Sequence, residues 1–330
     1  MTRNRIVTLH TRENPLLDAL QAEGCEIVQV PARQSFSEEL FDDCLCYFGD
    51  AFINVKAPLQ FARLKKQLNR RGIPVVSWNR DAPWHCAIKP WRKILIRALR
   101  LVDIYLTHSL QDAAAFHDAP IYFPNAAQIH SYHLGTRTLA DLRDPHQYRV
   151  DVSFFGALSP DFKQVRERVA FLQALAPRLD TLKITHDFRD PYVYQPRMGF
   201  AEQIEFVQRS RINLNVGAVC DTPEPSWGLA ERCYGVPACG GFLLSDPRRH
   251  AADTFPADSW VEFASLDDCV EKIQAHLRDF ERTRALAEKL HAEVMQHHTY
   301  RNRAWQFLRL VNDFDFNNRS RRPAGAQANA

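Results

Sequence analysis

The chain has 330 residues, 45% hydrophobic and 25% charged, with a formal net charge of +3. That length is too great for one small core, so two domains of roughly 150 residues each are expected. So mild a charge, without a clustered basic-aromatic stripe, argues against nucleic acid as a partner, and no run of about 18 apolar residues offers a transmembrane helix.

The N-terminus MTRNRIVTLH runs straight into a strand-like segment without the apolar core of a signal peptide, so a cytoplasmic location is expected. The 8 cysteines fit that location. Neither Cys44/Cys46 nor Cys233/Cys239 has the paired spacing of a zinc site, and they read as small buried thiols.

In chain order, Arg5–His10 reads as a strand, Pro15–Glu23 as a helix ended by Gly24, and Glu26–Val30 and Leu45–Gly49 as strands. Ala57–Arg71 is an amphipathic helix closed by Gly72. The strand PVVSWN, the loop RDAPWH, a helix over Trp91–Leu101, the strand DIYLTH, a short helix and IYFP complete a first series. Residues 128–150, rich in His, Arg and Asp, read as an inter-domain connection between an N-terminal domain over 1–127 and a second domain over 151–298.

There the alternation restarts with strand DVSFFGA, a helix over Phe162–Ala176, strand TLKITHD, a helix over Ala201–Ser210 and strand RINLNVG. The strand GFLLSD, the segment WVEFAS, a helical tract over Leu266–His298 and a last helix from Tyr300 to about Phe314 follow. The polar tail, 317–330, reads as disordered. Alternating strands and helices imply parallel, doubly wound sheets in an α/β fold, with ligands at the carboxyl ends of the strands.

Three segments carry candidate chemistry. In DVSFFGALS a strand ends at Gly156-Ala157, where a phosphate can approach the backbone; a plain strand-to-helix turn explains the same residues, and this is not a GxGxxG fingerprint. Lys163, Arg166 and Arg168 follow, any of which can neutralise a diphosphate in place of a metal. In TPEPSWGLAERCYGVPACGG, Ser226 suits the N-cap of a helix starting near Trp227, with Gly228 in its first turn and Glu231 one turn on. Pro237 disfavours continued helix, and Gly240-Gly241 turn the chain into the next strand.

The loop after PVVSWN holds Asp81 and His85, the best acid/base candidates of the first half, with Arg80 able to steady phosphate. Asp81 capping a turn before Pro83 is the structural alternative. His297, His298 and Tyr300 read as a helix junction, and Asp313-Phe314-Asp315, the only DxD-like run, as no metal site. Lys89–Arg100 (KPWRKILIRALR) is basic and amphipathic; it suits peripheral membrane contact or a core helix with a solvated face.

The runs YGVPACGGFLLSD, TFPADSWVEFASLDDCVEKIQAHL and HHTYRNRAWQFL resemble the CgeB-like (spore maturation protein-like) glycosyltransferases, within the group-1 glycosyltransferases of GT-B fold. DVSFFGALS and RINLNV resemble the same family, and coverage is good from Asp151 to about Leu310. The resemblance implies two facing Rossmann-like domains, with a C-terminal helix over 299–316 crossing back to the first. It implies a cytoplasmic, hexosyltransferase-type enzyme that needs no metal or other cofactor. A sugar would pass from a UDP-, GDP- or dTDP-type donor to a glycan, lipid-linked or protein acceptor, in cell-surface polysaccharide or glycoconjugate synthesis. It places the turn at Gly156-Ala157 near the donor phosphates; with the residues read above, Gly156, Ala157, Lys163, Arg166, Ser226, Trp227, Gly228, Glu231 and Gly240 are the donor-binding candidates, and Asp81 and His85 the acid/base candidates. The family helix carries a ribose-contacting glutamate where this chain has Gly235. Three outcomes follow: Glu231 reaches the ribose, donor binding is altered, or activity is lost. A non-catalytic nucleotide or glycan binding module and a nucleotide-sugar epimerase are the alternative readings.

Overall fold

The structure, a computed structural model, describes residues 3–8, 14–30, 38–49, 58–80, 90–111, 113–159, 165–192, 198–217 and 227–316. Asp81, His85, Lys163, Ser226 and the 317–330 tail lie outside them. The chain divides into two compact units: 1–124 with 300–330, and 125–299.

In the first unit the strands are β1 (Arg5–Thr8), β2 (Glu26–Gln29), β3 (Cys44–Phe48), β4 (Val75–Asn79), β5 (Ile104–Thr107) and β6 (Ile121–Tyr122). They form a parallel sheet in the order β2-β1-β3-β4-β5-β6. β3, β4 and β5 are buried along their whole length, as expected of central parallel strands covered on both faces. The helices α1 (Pro15–Ala22), α2 (Pro58–Arg70) and α3 (Pro90–Ala98) connect them. α1 starts where Asn14 accepts a hydrogen bond from the Leu16 amide and Pro15 takes the first helical position. Gly24 ends it with φ +91°, a conformation that favours glycine. Leu68, Ile73, Val75, Ile96 and Tyr105 are central to the core on one side of this sheet.

The last helix, α9 (Tyr300–Asn312), belongs to this first unit. Phe307, fully buried, meets Phe48 of β3 edge-on at 5.5 Å. Glu23 accepts hydrogen bonds from Arg301 (2.8 Å) and from the Trp305 indole (2.7 Å).

The second unit has strands β7 (Val150–Phe155), β8 (His186–Arg189), β9 (Ser210–Asn215) and β10 (Leu243–Ser245), all parallel, in the order β10-β9-β7-β8. A single parallel bridge, Ser245 to Glu262, extends the sheet past β10. Its helices are α4 (Arg166–Thr181), α5 (Phe200–Gln208), α6 (Arg232–Ala238), α7 (Leu266–Arg278) and α8 (Phe280–His297). The tract expected as one helix over Leu266–His298 divides because Asp279 leaves helical geometry and caps α8 through the Arg282 amide. α4 continues through Pro177 to Thr181, five residues beyond the expected end at Ala176.

Residues 128–150, expected as a connection, are part of the second unit. Gly240, at φ +77°, receives Leu134, Leu139 and Leu142 of this segment against its backbone. A β-carbon there would stand 2.7 Å from Leu142 Cδ1. Gly240 therefore serves the packing of this segment.

Candidate functional site

The carboxyl ends of β7, β9 and β10 bring three arginines together. Arg232 opens α6; its Nη1 donates to the Phe155 carbonyl at 2.9 Å, and its guanidinium lies over the Phe154 ring at 4.5 Å. Arg168, buried on α4, donates from Nε to the Val216 carbonyl at 2.7 Å and from Nη1 to the Ala157 carbonyl at 2.9 Å. Its guanidinium lies 5.5 Å from the same Phe154 ring. Among the described residues neither forms an ion pair with a carboxylate, and Arg232 Nε is buried without a hydrogen-bond partner.

Gly156 is what lets Arg232 reach the end of β7. A β-carbon at 156 would stand 2.8 Å from Arg232 Nη1 and 3.0 Å from Phe154 Cζ. Gly217 does the same after β9, where a β-carbon would collide with the Arg248 guanidinium. Arg248 donates from Nε to Asp246 Oδ1 at 2.9 Å, and its Nη2 pairs with Oδ2. Asp246 also accepts from the Gly217 amide at 2.8 Å. So Arg248 is neutralised, whereas Arg168 and Arg232 are not.

The charges respond accordingly. Burial, then the neighbouring Arg232 and Arg248, push Arg168 down to about 9. Burial lowers Arg232 as well. Burial also works against Arg248, but Asp246 overrides it and holds that guanidinium above its ordinary value. Arg168, buried, and Arg232, half-buried, are short of counter-charge and gain from a bound anion, since charge-assisted hydrogen bonds to guanidinium are among the strong ones.

Of the residues expected to hold a donor, Gly156 and Ala157 sit at this cluster. Arg166 is exposed on the first turn of α4, and the arginine that turns inward is Arg168. The helix expected from Trp227 begins at Arg232, and Trp227–Ala230 is not helical. Glu231 is therefore not one helical turn after Trp227; it is exposed at the N-cap of α6, and its side chain makes no capping bond. Gly228 is buried in that non-helical stretch. Trp227 carries the Arg249 guanidinium 3.9 Å from its ring centre.

Gly235 is buried in α6 against the ring of Tyr132, whose hydroxyl donates to Gln203 Oε1 at 2.6 Å. Sequence reasoning gave no role to Arg232 or Arg248. Both stand where a ligand is expected in a doubly wound sheet, Arg248 three residues after the last residue of β10, and that position was the available signal.

No three His, Cys, Asp or Glu side chains gather as metal ligands among the described residues. The six described cysteines are buried and free. None of the described helices is long and apolar enough to cross a membrane.

Residues 166–309 match the model of a family described as glycosyl transferase-like. No curated protein matches the chain. Among solved structures, the chain is similar to sucrose-phosphate synthase from Thermosynechococcus elongatus, at 11% identity and TM-score 0.59, over 94% of this chain and 98% of that one. Anabaena HepE in complex with UDP and glucose gives 11% identity and TM-score 0.56, over 94% and 100%. An α1,3-fucosyltransferase with GDP-fucose gives 14% and 0.52, over 94% and 90%. With its two parallel sheets and these neighbours, the chain has the GT-B fold.

Proposed function

We propose that the protein transfers a sugar from a nucleoside-diphosphate donor. One observation carries the reading: Arg168 and Arg232 share the Phe154 ring, meet no carboxylate among the described residues, and stand at the end of β7 beside Gly156. A diphosphate supplies the missing counter-charge. As the bond to the sugar breaks, negative charge grows on the departing diphosphate, and two prepositioned guanidiniums stabilise that charge without reorganising. They do what a bound metal does in other transferases, so metal-independent transfer is part of the proposal. The solved neighbours include complexes with UDP and with GDP-fucose, which supports a nucleotide-sugar donor here.

The hexosyltransferase type, the CgeB-like subfamily, a cytoplasmic location and a glycan, lipid-linked or protein acceptor belong to the same proposal, and rest on the sequence runs quoted above. Asp81 and His85 are kept as its acid and base candidates. A second reading, a non-catalytic binding module, is favoured by one observation: Tyr132 fills the space beside Gly235 that a side chain would take.

The test is a thermal-shift screen of the wild type and Arg232→Gln with UDP, GDP, CDP, ADP, dTDP and their sugar conjugates. A ligand that binds only the folded state raises the melting temperature by mass action. A shift with one nucleotide, weakened at least about tenfold in Arg232→Gln, is expected. No shift with any of them overturns the proposal. Nucleoside diphosphate released only with an acceptor, and unchanged by a chelator, distinguishes transfer from binding alone.

A further inference from the structure

We propose that a pocket of this unit binds the pyranose ring of a carbohydrate. The cavity has a volume of about 640 Å³, within the range of small-molecule sites. Trp227, Phe255 and Trp260 line it, with Arg248, Arg249 and Glu262 as its charged groups. Phe255 is buried and stacks on Trp260 with ring centres 4.9 Å apart and planes 10° from parallel, which fixes that indole. Trp227 is held between the Arg249 guanidinium at 3.9 Å and an edge contact with His250 at 5.7 Å. Rigid indoles of this kind suit the C–H faces of a sugar ring, which are weakly positive and apolar, while the sugar hydroxyls need acceptors and donors at the rim.

Those groups are present. Glu262 Oε1 accepts from the Arg248 amide at 3.0 Å and from the Trp260 indole at 2.7 Å. Both bonds fall on the same oxygen, so Oε2 is left without a partner among the described residues. Arg249 is exposed and, beyond its contact with Trp227, forms no hydrogen bond or ion pair among the described residues. A carboxylate oxygen and a guanidinium beside two indoles form an acceptor, a donor and a platform with little net charge. Arg248 also lines the cavity but adds no positive excess, because Asp246 neutralises it. A phosphate would meet Glu262 unfavourably, whereas a neutral polyol satisfies both groups.

The inference deepens the glycosyl-transfer reading but stands on different residues from the arginine pair. A sugar could arrive free, as part of a glycan, or attached to a nucleoside diphosphate; the ring chemistry is shared, and the experiment separates the sources. Saturation-transfer NMR is recorded with a panel of mono- and oligosaccharides without nucleotide, with nucleotide sugars, and with nucleoside diphosphates alone. The proteins are wild type, Glu262→Gln and Arg249→Gln, each checked for folding by circular dichroism. Glu262→Gln keeps an acceptor for the Trp260 indole and replaces Oε2 with a donor.

The expected result is sugar-ring contact for at least one saccharide, weakened at least about tenfold in both variants, with nucleoside diphosphate binding unchanged. Contact with free saccharides identifies a glycan, and contact only with nucleotide sugars identifies the donor's own ring. Saccharide binding without any nucleotide binding sinks the transfer reading and leaves this inference standing. Nucleoside diphosphate binding without contact by any saccharide, free or nucleotide-linked, overturns the inference. Equal saccharide binding by wild type and both variants overturns it too.

Discussion

The ring of Tyr132 lies against the bare α-carbon of Gly235, so close that a β-carbon there would stand 3.2 Å from Tyr132 Cγ. Tyr132 comes from the 128–150 segment and Gly235 from the middle of α6. The pair fastens one to the other, with the Tyr132 hydroxyl anchored on Gln203 at 2.6 Å. Gly235→Glu must therefore both displace a ring and bury a carboxylate. Overpacking alone costs about 1–3 kcal/mol, and an unpaired carboxylate adds to it. Urea denaturation is expected to show a loss above that range for Gly235→Glu. Tyr132→Ala in the same chain should recover part of the loss by making room. A double variant no more stable than Gly235→Glu alone would show that the ring is not the obstacle.

This pair also marks what the sequence could show. The α/β class, the parallel sheets and nearly every strand were legible, because buried parallel strands such as Val75–Asn79 are continuous apolar runs. The end at Gly156-Ala157 was legible from a strand followed by glycine. The start of α6 was not: Ser226 before an aromatic and a glycine has the look of an N-cap, yet the helix starts at Arg232. Arg232 and Arg248 were missed because their roles depend on glycines far away in sequence, Gly156 and Gly217. Arg166 and Arg168 are two residues apart, about 200° around a helix, so choosing the inward one requires the helix phase. That phase is fixed by Leu172, Leu175 and Leu179, the buried stripe of α4 with which Arg168 aligns.

Three histidines, His250 buried and His117 and His276 half-buried, set a pH dependence. Burial lowers His117, His250 and His276 below their ordinary value of 6.5. In each case the unfolded chain binds a proton more readily than the folded chain. Stability therefore falls as pH drops below about 6.5 and levels off once pH is below the folded values. Glu23, Asp141, Asp258 and Asp268 are held below their ordinary values by hydrogen bonds and cationic neighbours. They act in the same direction in a lower window, their contribution being lost as pH falls through the folded values. Melting temperatures from pH 8 to pH 4 should decline in these two stages, and His276→Asn should flatten the first. A melting temperature that rises from pH 7 to 5.5 would contradict this account.

Within the first unit, Glu23 anchors α9 through Arg301 and Trp305. These contacts are near the surface, so Glu23→Ala should lower global stability only slightly. The effect should be local: amides at the start of α9 are expected to exchange hydrogen faster, while those of β3 and β4 keep their protection. Unchanged exchange in α9 would mean that the buried Phe307–Phe48 contact holds the helix by itself.

Lys65 and Asp103 form a buried ion pair at 2.8 Å, with side chains 9% and 1% exposed. Asp103 also accepts from Asn69 Nδ2 at 2.7 Å and from the Val75 amide at 2.9 Å, tying α2 to the start of β4. Removing one partner strands the other charge, so Asp103→Ala should cost about 3–5 kcal/mol in urea denaturation. Lys65→Met combined with Asp103→Ala should cost less than Asp103→Ala alone, because no ammonium group is then left buried. If the double variant is the less stable of the two, the main work of Asp103 is its hydrogen bonds to Asn69 and Val75 rather than its charge.

Residues 89–100 suit either peripheral membrane contact or a helix with a solvated basic face, and vesicle binding separates the two. Trp91 and Ile94 are 55% and 70% exposed on α3, three residues apart and therefore on one side of the helix. The same stretch carries Lys89, Arg92, Lys93, Arg97 and Arg100 in sequence. Indole and isoleucine side chains beside basic residues match an anionic lipid surface, where buried apolar area and charge attraction add. Sedimentation with vesicles containing phosphatidylglycerol should retain the wild type at low salt. The double variant Trp91→Ser, Ile94→Ser should bind clearly less, and neutral phosphatidylcholine vesicles should retain neither. Equal retention of wild type and variant would remove α3 from membrane contact and leave its exposed apolar pair to another partner.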